Sequence, residues 1–312
     1  MKIIQTMNKI APVGLDELDK SRYAITDTTD NPDAILVRSA NLNAKEFGYK
    51  LTAIVRCGAG VNNIPVDRCA EQGIVVFNTP GANANAVKEL TIAAIVMISR
   101  NVEAAAAWVK GLNTTEPGKE VEKGKEAFRG PEIMGKKIGI IGVGSIGSRM
   151  AKACSDLGMD VIGYDPYLSD KAAAMLDSSV TVTANLDDIF ANSDYISVHA
   201  PLTDSTKNIV GKETLAMAKD GVRVLNFARG GLVDNEAIVE AIKSGKCAAY
   251  ATDFPTDEML DLDGVIAMPH LGASTPESEE NCAVMAVNQI AEYLEKGNVV
   301  NSVNLPCISK DM

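Results

Sequence analysis

The sequence is poor in histidine and in aromatic residues. Its 312 residues include only two histidines and one tryptophan, and the aromatic fraction is 4%. No His/Cys group has metal-ligand spacing, so the sequence predicts no metal site. There is also no G-x-S-x-G motif, which argues against the nucleophile turn of α/β-hydrolases. The scarcity of histidine makes each one a candidate for acid–base chemistry, since imidazole titrates near neutral pH.

Cysteine pairs, an excess of basic residues and long apolar runs are lacking too. The six cysteines are scattered without C-x-x-C spacing, which predicts reduced cysteines in a cytoplasmic protein. Acidic residues outnumber basic ones by 41 to 30, and the net charge of −11 argues against a nucleic-acid or anionic-membrane partner. No apolar run reaches the about 20 residues that span a bilayer. No secretory signal is expected at the N-terminus.

The strongest positive signal is a glycine-rich turn. An apolar run over 137–141 precedes Gly142, Gly144 and Gly147 at G-x-G-x-x-G spacing, and a helical pattern and a second apolar run lead to Asp165. In dinucleotide-binding units the first glycine makes a tight turn, the second lets the backbone approach a pyrophosphate, and the third lets helix and strand pack closely. The sequence therefore predicts a dinucleotide site. The alternative is a tight turn without a ligand.

Asp165 indicates which dinucleotide is expected. An acid about 20 residues past the glycines can accept hydrogen bonds from a ribose 2′-hydroxyl. The same carboxylate repels a 2′-phosphate, so the pattern favours NAD over NADP.

Both histidines follow apolar runs, at strand ends where open α/β sheets bind ligands. His270 is the predicted acid–base group, and His199 is predicted to line the cofactor pocket. The alternative for each is a purely structural histidine.

Charged residues follow two further predicted strands. Arg229, on a glycine-rich loop, can bind a carboxylate through two parallel hydrogen bonds. Its alternative is a loop ion pair. Of Asp253, Asp257 and Glu258, one could orient the histidine and stabilise its charged form, and another could accept from a nicotinamide amide. Their alternative is a solvated acidic loop.

Short apolar runs alternate with helical patterns along most of the chain, which predicts parallel α/β sheets. The candidate strands are 2–5, 34–37, 51–55, 74–76, 180–182, 195–198, 222–226, 248–252 and 265–267. A long helix is predicted from 85 to about 111, and a charged loop or arm over 111–131. Two loops, at 38–39 and 56–62, follow strand ends, where open α/β sheets bind ligands, and the backbone N–H groups of the second could hold an anion. The alternative for Arg38 and for Arg56 is a surface ion pair.

These motifs resemble the D-isomer-specific 2-hydroxyacid dehydrogenases over essentially the whole chain. The resemblance rests on the glycine turn together with the segments 37–39, 58–64, 78–81, 199–203, 226–231 and 269–275. It implies an α/β fold of two Rossmann-like, doubly wound parallel-sheet domains separated by a cleft. The implied substrate domain is 1–99 plus 282–312, with an inserted NAD-binding domain at 100–281. A homodimer is implied as well.

The resemblance also implies residue roles. Arg229 would bind the substrate carboxylate, and His270 would take the hydroxyl proton with support from Glu258 or Asp257. The implied substrate-binding residues are Arg38, Ser39, Arg56, Gly60 and Asn62. The implied NAD-binding residues are Gly142, Gly144, Ser145, Ile146, Gly147, Asp165, His199, Ala200, Pro201, Thr206, Phe227, Ala228, Asp253 and Gly272.

The expected substrate is a small anionic 2-hydroxy acid. The leading expectation is oxidation of 3-phospho-D-glycerate with NAD, the first step of serine synthesis. The alternatives are a hydroxypyruvate or glyoxylate reductase and a non-catalytic, NAD-sensing corepressor-like protein. Asn62 stands where the family usually has aspartate, which removes a negative charge near an anionic substrate. The regulatory C-terminal domain of longer relatives is not expected.

Overall fold

The computed structural model describes residues 1–168, 173–174 and 176–305 and divides into two compact units. One unit contains Met1–Ala86 and Ala273–Met312, and the other contains Val87–Gly272. Both chain ends therefore belong to the same unit. The predicted domain boundaries, 1–99 plus 282–312 and 100–281, stay a prediction.

The first unit is built on a five-stranded parallel sheet. Its strands are β1 (Lys2–Met7), β2 (Tyr23–Thr26), β3 (Ala34–Val37), β4 (Ala53–Arg56) and β5 (Val75–Phe77), in the order β2-β1-β3-β4-β5. Two short helices, α1 (Pro12–Leu15) and α2 (Val66–Glu71), lie between strands. Every residue of β3 is buried, as expected for a parallel strand covered on both faces.

The second unit is built on a seven-stranded parallel sheet. Its order is β12-β11-β10-β9-β6-β7-β8. The strands are β6 (Lys137–Ile141), β7 (Asp160–Tyr164), β8 (Val180–Thr183), β9 (Tyr195–Val198), β10 (Val222–Asn226), β11 (Cys247–Thr252) and β12 (Val265–Ala267). The order reverses between β6 and β9. In open α/β sheets this reversal is where ligands bind, at the carboxyl ends of the strands.

The second unit also contains helices. They are α3 (Ala84–Arg100, which begins in the first unit), α4 (Val102–Lys110), α5 (Pro117–Gly124), α6 (Gly147–Asp156), α7 (Leu186–Asn192), α8 (Lys212–Met217) and α9 (Asn235–Ser244), with short 3₁₀ helices at Lys125–Phe128, Gly230–Leu232 and Asp257–Met259. The predicted α/β fold with two parallel sheets is confirmed.

The last helix, α10 (Pro276–Lys296), completes the first unit. The Thr275 hydroxyl caps it by accepting the N–H of Ser278 at 3.1 Å. Gly297, at φ +71°, ends it. The segment after α10 returns to the sheet, where the N–H of Val303 donates to the Val76 carbonyl at 2.9 Å.

Two local predictions were wrong. The helix expected over 85–111 is broken at Asn101, whose left-handed backbone (φ 48°, ψ 40°) separates α3 from α4. The arm expected as a loop contains α5, because its lysines and glutamates are spaced to form i,i+3 ion pairs such as Lys119–Glu116 at 2.5 Å. The rings of Trp108 and Phe128 pack against each other, with centroids 5.5 Å apart.

The sequence analysis missed strand β2 because the strand has only four residues and only one of them, Tyr23, is buried.

Among the described helices, none alone has the length and hydropathy to cross a membrane. Helices α3 and α4 meet that criterion only as a pair, with a 69° bend between them.

Candidate active site

The glycine turn lies between β6 and α6, at the carboxyl end of a central strand. Gly142 has φ +89°, and a Cβ there would stand 2.7 Å from the Ala200 nitrogen. A Cβ at Gly147 would overlap the Gly142 carbonyl oxygen. At Gly144, by contrast, no described heavy atom lies within 4 Å of such a Cβ. Two glycines therefore serve close packing, and the middle one leaves open space beside the backbone.

The open side of this turn suits a pyrophosphate. Ser145 is exposed and Ile146 precedes the first turn of α6. No side chain among the described residues caps that N-terminus. Helix N-terminal N–H groups bind anions, so these residues fit the phosphates of a dinucleotide.

Asp165 is hydrogen-bonded to the glycine turn itself. One carboxylate oxygen accepts the Val143 N–H at 3.0 Å, and the other accepts the Tyr167 N–H at 3.0 Å. Asp165 directly follows β7, the neighbour of β6. The acid thus lies beside the turn at the end of the second strand, the position from which an acid binds a ribose hydroxyl in such folds.

His199 follows β9 and lies behind the turn. Its Nε2 is 2.9 Å from the Ser197 hydroxyl, and burial lowers the pKa of His199 to about 4. Within the described chain its Nδ1 is buried without a hydrogen-bond partner. The imidazole is therefore neutral at pH 7 and keeps one ring nitrogen for a ligand.

Asp253 is the most buried acid of the site, with 2% of its surface exposed. Its Oδ2 accepts the Gly272 N–H at 2.9 Å, and its carbonyl accepts the His270 N–H at 3.2 Å. Burial raises the pKa of the Asp253 carboxyl, which the Gly272 hydrogen bond and the charges of His270 and Arg229 oppose. Its Oδ1 has no partner in the described structure, so it fits a donor such as a carboxamide.

Arg229 lies on the loop after β10. Its guanidinium donates to the Ala228 carbonyl at 2.6 Å, and the Asn226 side chain donates to the Arg229 carbonyl at 2.8 Å. Burial lowers the pKa of Arg229, and the negative charge of Asp253 opposes this effect. A partly desolvated guanidinium binds a carboxylate more strongly than one in water.

His270 is exposed and occupies an unusual backbone conformation, φ +45°. Its ring lies against Phe254, with centroids 4.9 Å apart. Asp253, which directly follows β11, accepts the backbone N–H groups of both His270 and Gly272. These two hydrogen bonds hold the turn that carries His270 against the end of β11.

Asp257 and Glu258 begin the 3₁₀ helix beyond Phe254. Both are exposed, and a hydrogen bond from its own backbone N–H lowers the pKa of Glu258. With Thr256 and one side of α9, the two acids line a cavity of about 770 Å³. Which acid supports His270 stays a prediction.

The remaining predicted cofactor residues follow β9 and β10. Ala200, Phe227 and Ala228 are buried. Pro201 is exposed, and its carbonyl accepts the Thr206 hydroxyl at 2.6 Å. The second unit thus brings most predicted NAD residues to neighbouring strand ends. Among the described residues no group of His, Cys, Asp and Glu could hold a metal ion.

The predicted substrate residues lie at strand ends of the first unit. Arg38 and Ser39 follow β3, and Arg56 ends β4 beside them, since Val37 pairs with Arg56. The Arg56 guanidinium lies over Gly58, where an added Cβ would overlap it. In the following loop Gly60 is half-buried, and Asn62 is exposed.

Residues 92–272 match the family model described as D-isomer specific 2-hydroxyacid dehydrogenase, NAD binding domain. Hydroxypyruvate reductase of Thermotoga maritima is 39% identical over 274 residues, 84% of this chain and 85% of that protein. The chain belongs to the D-isomer specific 2-hydroxyacid dehydrogenase family.

Other family members are similar over most of the chain. D-3-phosphoglycerate dehydrogenase of Methanocaldococcus jannaschii is 36% identical over 288 residues, 89% of this chain and 53% of that protein. The chain thus spans about half the length of this relative. The NAD⁺-bound 3-phosphoglycerate dehydrogenase of Entamoeba histolytica superposes with a TM-score of 0.77 at 25% identity, covering 97% of this chain and 98% of that one.

The structure adds two side chains that the sequence reasoning missed. Ser197 contacts His199, and i,i+2 spacing on a strand was an available signal because such residues share a face. Glu279 pairs with Arg38 at 2.7 Å, and no local pattern links these two residues.

Proposed function

We propose that the protein oxidises 3-phospho-D-glycerate to 3-phosphohydroxypyruvate with NAD, the first step of serine synthesis. The observation that supports this choice of substrate is the pair Arg38 and Arg56, at the carboxyl ends of adjacent strands. Two neighbouring guanidinium groups suit a phosphate, which accepts several charge-assisted hydrogen bonds. The phosphoglycerate dehydrogenase relative of M. jannaschii supports this choice.

The proposed chemistry is a proton transfer coupled to a hydride transfer. Bound NAD supplies the hydride acceptor. Arg229 holds the substrate carboxylate and the C2 oxygen. His270 takes the C2 hydroxyl proton as the C2 hydride leaves, so the alcohol becomes a ketone. Glu258 or Asp257 orients His270 and stabilises its charged form.

A substrate panel tests the proposal. Steady-state kinetics with 3-phospho-D-glycerate, D-glycerate, D-lactate and glyoxylate would give kcat/KM for each, in the matching direction of reaction. We expect the phosphorylated acid to have the highest kcat/KM. Equal or higher values for unphosphorylated acids would reject this substrate and leave the family assignment intact.

The second candidate is a hydroxypyruvate or glyoxylate reductase. It is favoured by the T. maritima hydroxypyruvate reductase, which the chain matches over most of that protein's length. The same panel separates the two, because this candidate predicts the highest kcat/KM for hydroxypyruvate or glyoxylate.

We expect Asp165→Ala to narrow the preference for NAD over NADP by at least about tenfold. The carboxylate that binds a ribose hydroxyl repels a 2′-phosphate. The measurement is the ratio of kcat/KM for the two cofactors. Because the two oxygens of Asp165 each accept one backbone N–H group, Asp165→Asn should keep one of these hydrogen bonds while removing the charge.

The control for this prediction is Asp160→Ala, an exposed acid at the start of β7. Asp160→Ala should leave the ratio of kcat/KM for NAD and NADP unchanged. A ratio that stays at the wild-type value in both Asp165 variants would contradict the role assigned to Asp165.

A homodimer is proposed as well. In the described structure no residue of the largely apolar helix α4 is buried, and 48% of Val109 is exposed. An apolar helix without a buried face favours a protein partner, and sedimentation equilibrium would measure the assembly.

A further inference from the structure

Arg38 is held by an acid from the other end of the chain. Its Nη2 lies 2.7 Å from Oε1 of Glu279, near the start of α10. The side chains are 39% and 40% exposed, so solvent and ligands reach both. An ion pair this exposed contributes little to stability, because water and salt screen it. The pair can still change the affinity of this site for an anion, because both charges are accessible to a ligand.

Arg56 lies on the strand next to Arg38, where it pairs with Val37. Burial raises the pKa of the Cys57 thiol to about 12, and the charges of Arg56 and Arg38 both oppose that rise. The same two arginines, and the opposite charge of Glu279, act on the buried thiol of Cys282 in α10. The charges of all three residues therefore act on the Cys282 thiol, and those of the two arginines also act on the Cys57 thiol. We define Arg38, Arg56 and Glu279 as the charge triad.

The triad is positioned by the fold of the first unit alone. Arg56 ends β4 in register with Val37, and Arg38 directly follows Val37 at the end of β3. Helix α10 packs against both strands. Thr275 caps α10 and so fixes the start of the helix that carries Glu279. A ligand anion that contacts Arg38 must share it with Glu279.

We infer that Glu279 is a specificity-determining residue that lowers the preference of the charge triad for a doubly charged substrate tail. The triad carries a net charge of +1 with Glu279 ionised and of +2 without it. A phosphate with two charges is repelled by Glu279, whereas a hydroxymethyl tail is not. Glu279 thereby narrows the difference in kcat/KM between phosphorylated and unphosphorylated 2-hydroxy acids. The inference rests on the proposed function and goes beyond it.

The test compares Glu279→Gln with Glu280→Gln. Glu280 is an exposed acid one residue further along the same helix, so its variant makes the same change in net charge. The readout is kcat/KM for 3-phospho-D-glycerate divided by kcat/KM for D-glycerate. In Glu279→Gln we expect this ratio to rise about three- to tenfold, through KM and with kcat within about twofold. The rise should shrink at high salt.

Two further variants sharpen the result. Glu279→Asp keeps the charge and should keep the wild-type ratio. Glu280→Gln should keep it too. The inference is overturned if the ratio is unchanged in Glu279→Gln, if Glu280→Gln raises it equally, or if both substrates lose kcat/KM in parallel, which would make Glu279 only a support for Arg38.

A binding measurement separates this inference from the proposed function. If the wild-type protein turned over no 2-hydroxy acid, the proposed function would fail. Titration with inorganic phosphate would still decide the role of Glu279. We expect Glu279→Gln to bind phosphate about threefold or more tightly than the wild type and Glu280→Gln to match the wild type. Equal phosphate affinity in all three proteins would overturn the inference.

Discussion

Gly142→Ala should destabilise the protein, whereas Gly144→Ala should leave its stability near the wild-type value and weaken dinucleotide binding. Gly142 has φ +89°, and its Cβ would stand 2.7 Å from the Ala200 nitrogen and 2.8 Å from the His199 carbonyl carbon. Both neighbours are backbone atoms of the adjacent strand end and cannot rotate away. Backbone strain and this collision together should cost ~2–4 kcal/mol. Thermal unfolding would measure the loss.

Gly144 differs in the space around it. No described heavy atom lies within 4 Å of a Cβ there, so the apo protein should tolerate alanine. The added methyl group occupies the side from which a pyrophosphate reaches the turn. We expect NAD affinity to fall at least about tenfold, or about 1.4 kcal/mol, by calorimetric titration.

The pair of variants separates folding from binding. If Gly144→Ala bound NAD as well as the wild type, the open side of the turn would not face the cofactor. If Gly142→Ala unfolded at the wild-type temperature, the strand end at Ala200 would be more adaptable than its packing indicates.

His270→Ala should lower kcat by about 10²–10⁴, the usual contribution of a positioned acid–base group. The affinity for NAD should change little, because the ring is exposed and packs on Phe254. Single-turnover kinetics and NAD titration would measure the two quantities. A corepressor-like NAD sensor needs no acid–base group, so unchanged turnover, or none in the wild type, would favour that class.

His199 provides the matched control. Its pKa of about 4 keeps the ring neutral at pH 7 and far from the value that suits a catalyst at that pH. His199→Asn should therefore lower kcat less than about tenfold and act mainly on cofactor affinity. A loss of kcat as large as that of His270→Ala would contradict this division of roles.

The acid that supports His270 can be found with Asp257→Asn and Glu258→Gln. Removing the true partner destabilises the charged imidazole, so the rise of kcat/KM with pH should begin at lower pH in that variant. The other variant should keep the wild-type profile. Identical profiles in all three proteins would remove both acids from this role.

Much of the fold was predictable because it depends on local patterns. The strands at 34–37, 195–198, 222–226 and 265–267 were predicted with the bounds that the structure has, and the first three are largely buried. Continuous apolar runs bounded by turn residues carry this information, since central parallel strands are covered on both faces. The break at Asn101 was not predictable, because the apolar periodicity continues through it and a left-handed residue needs no glycine.

By itself, the sequence determined the family motifs and the spacing of the glycine turn. These depend on short segments whose backbone conformations are limited by residue type. Tertiary structure alone decided that Asp165 bonds to Val143, that Asp253 anchors the turn of His270, and that Glu279 holds Arg38. Glu279 and Arg38 are distant in sequence, and only the packing of α10 on β3 and β4 brings their charges together.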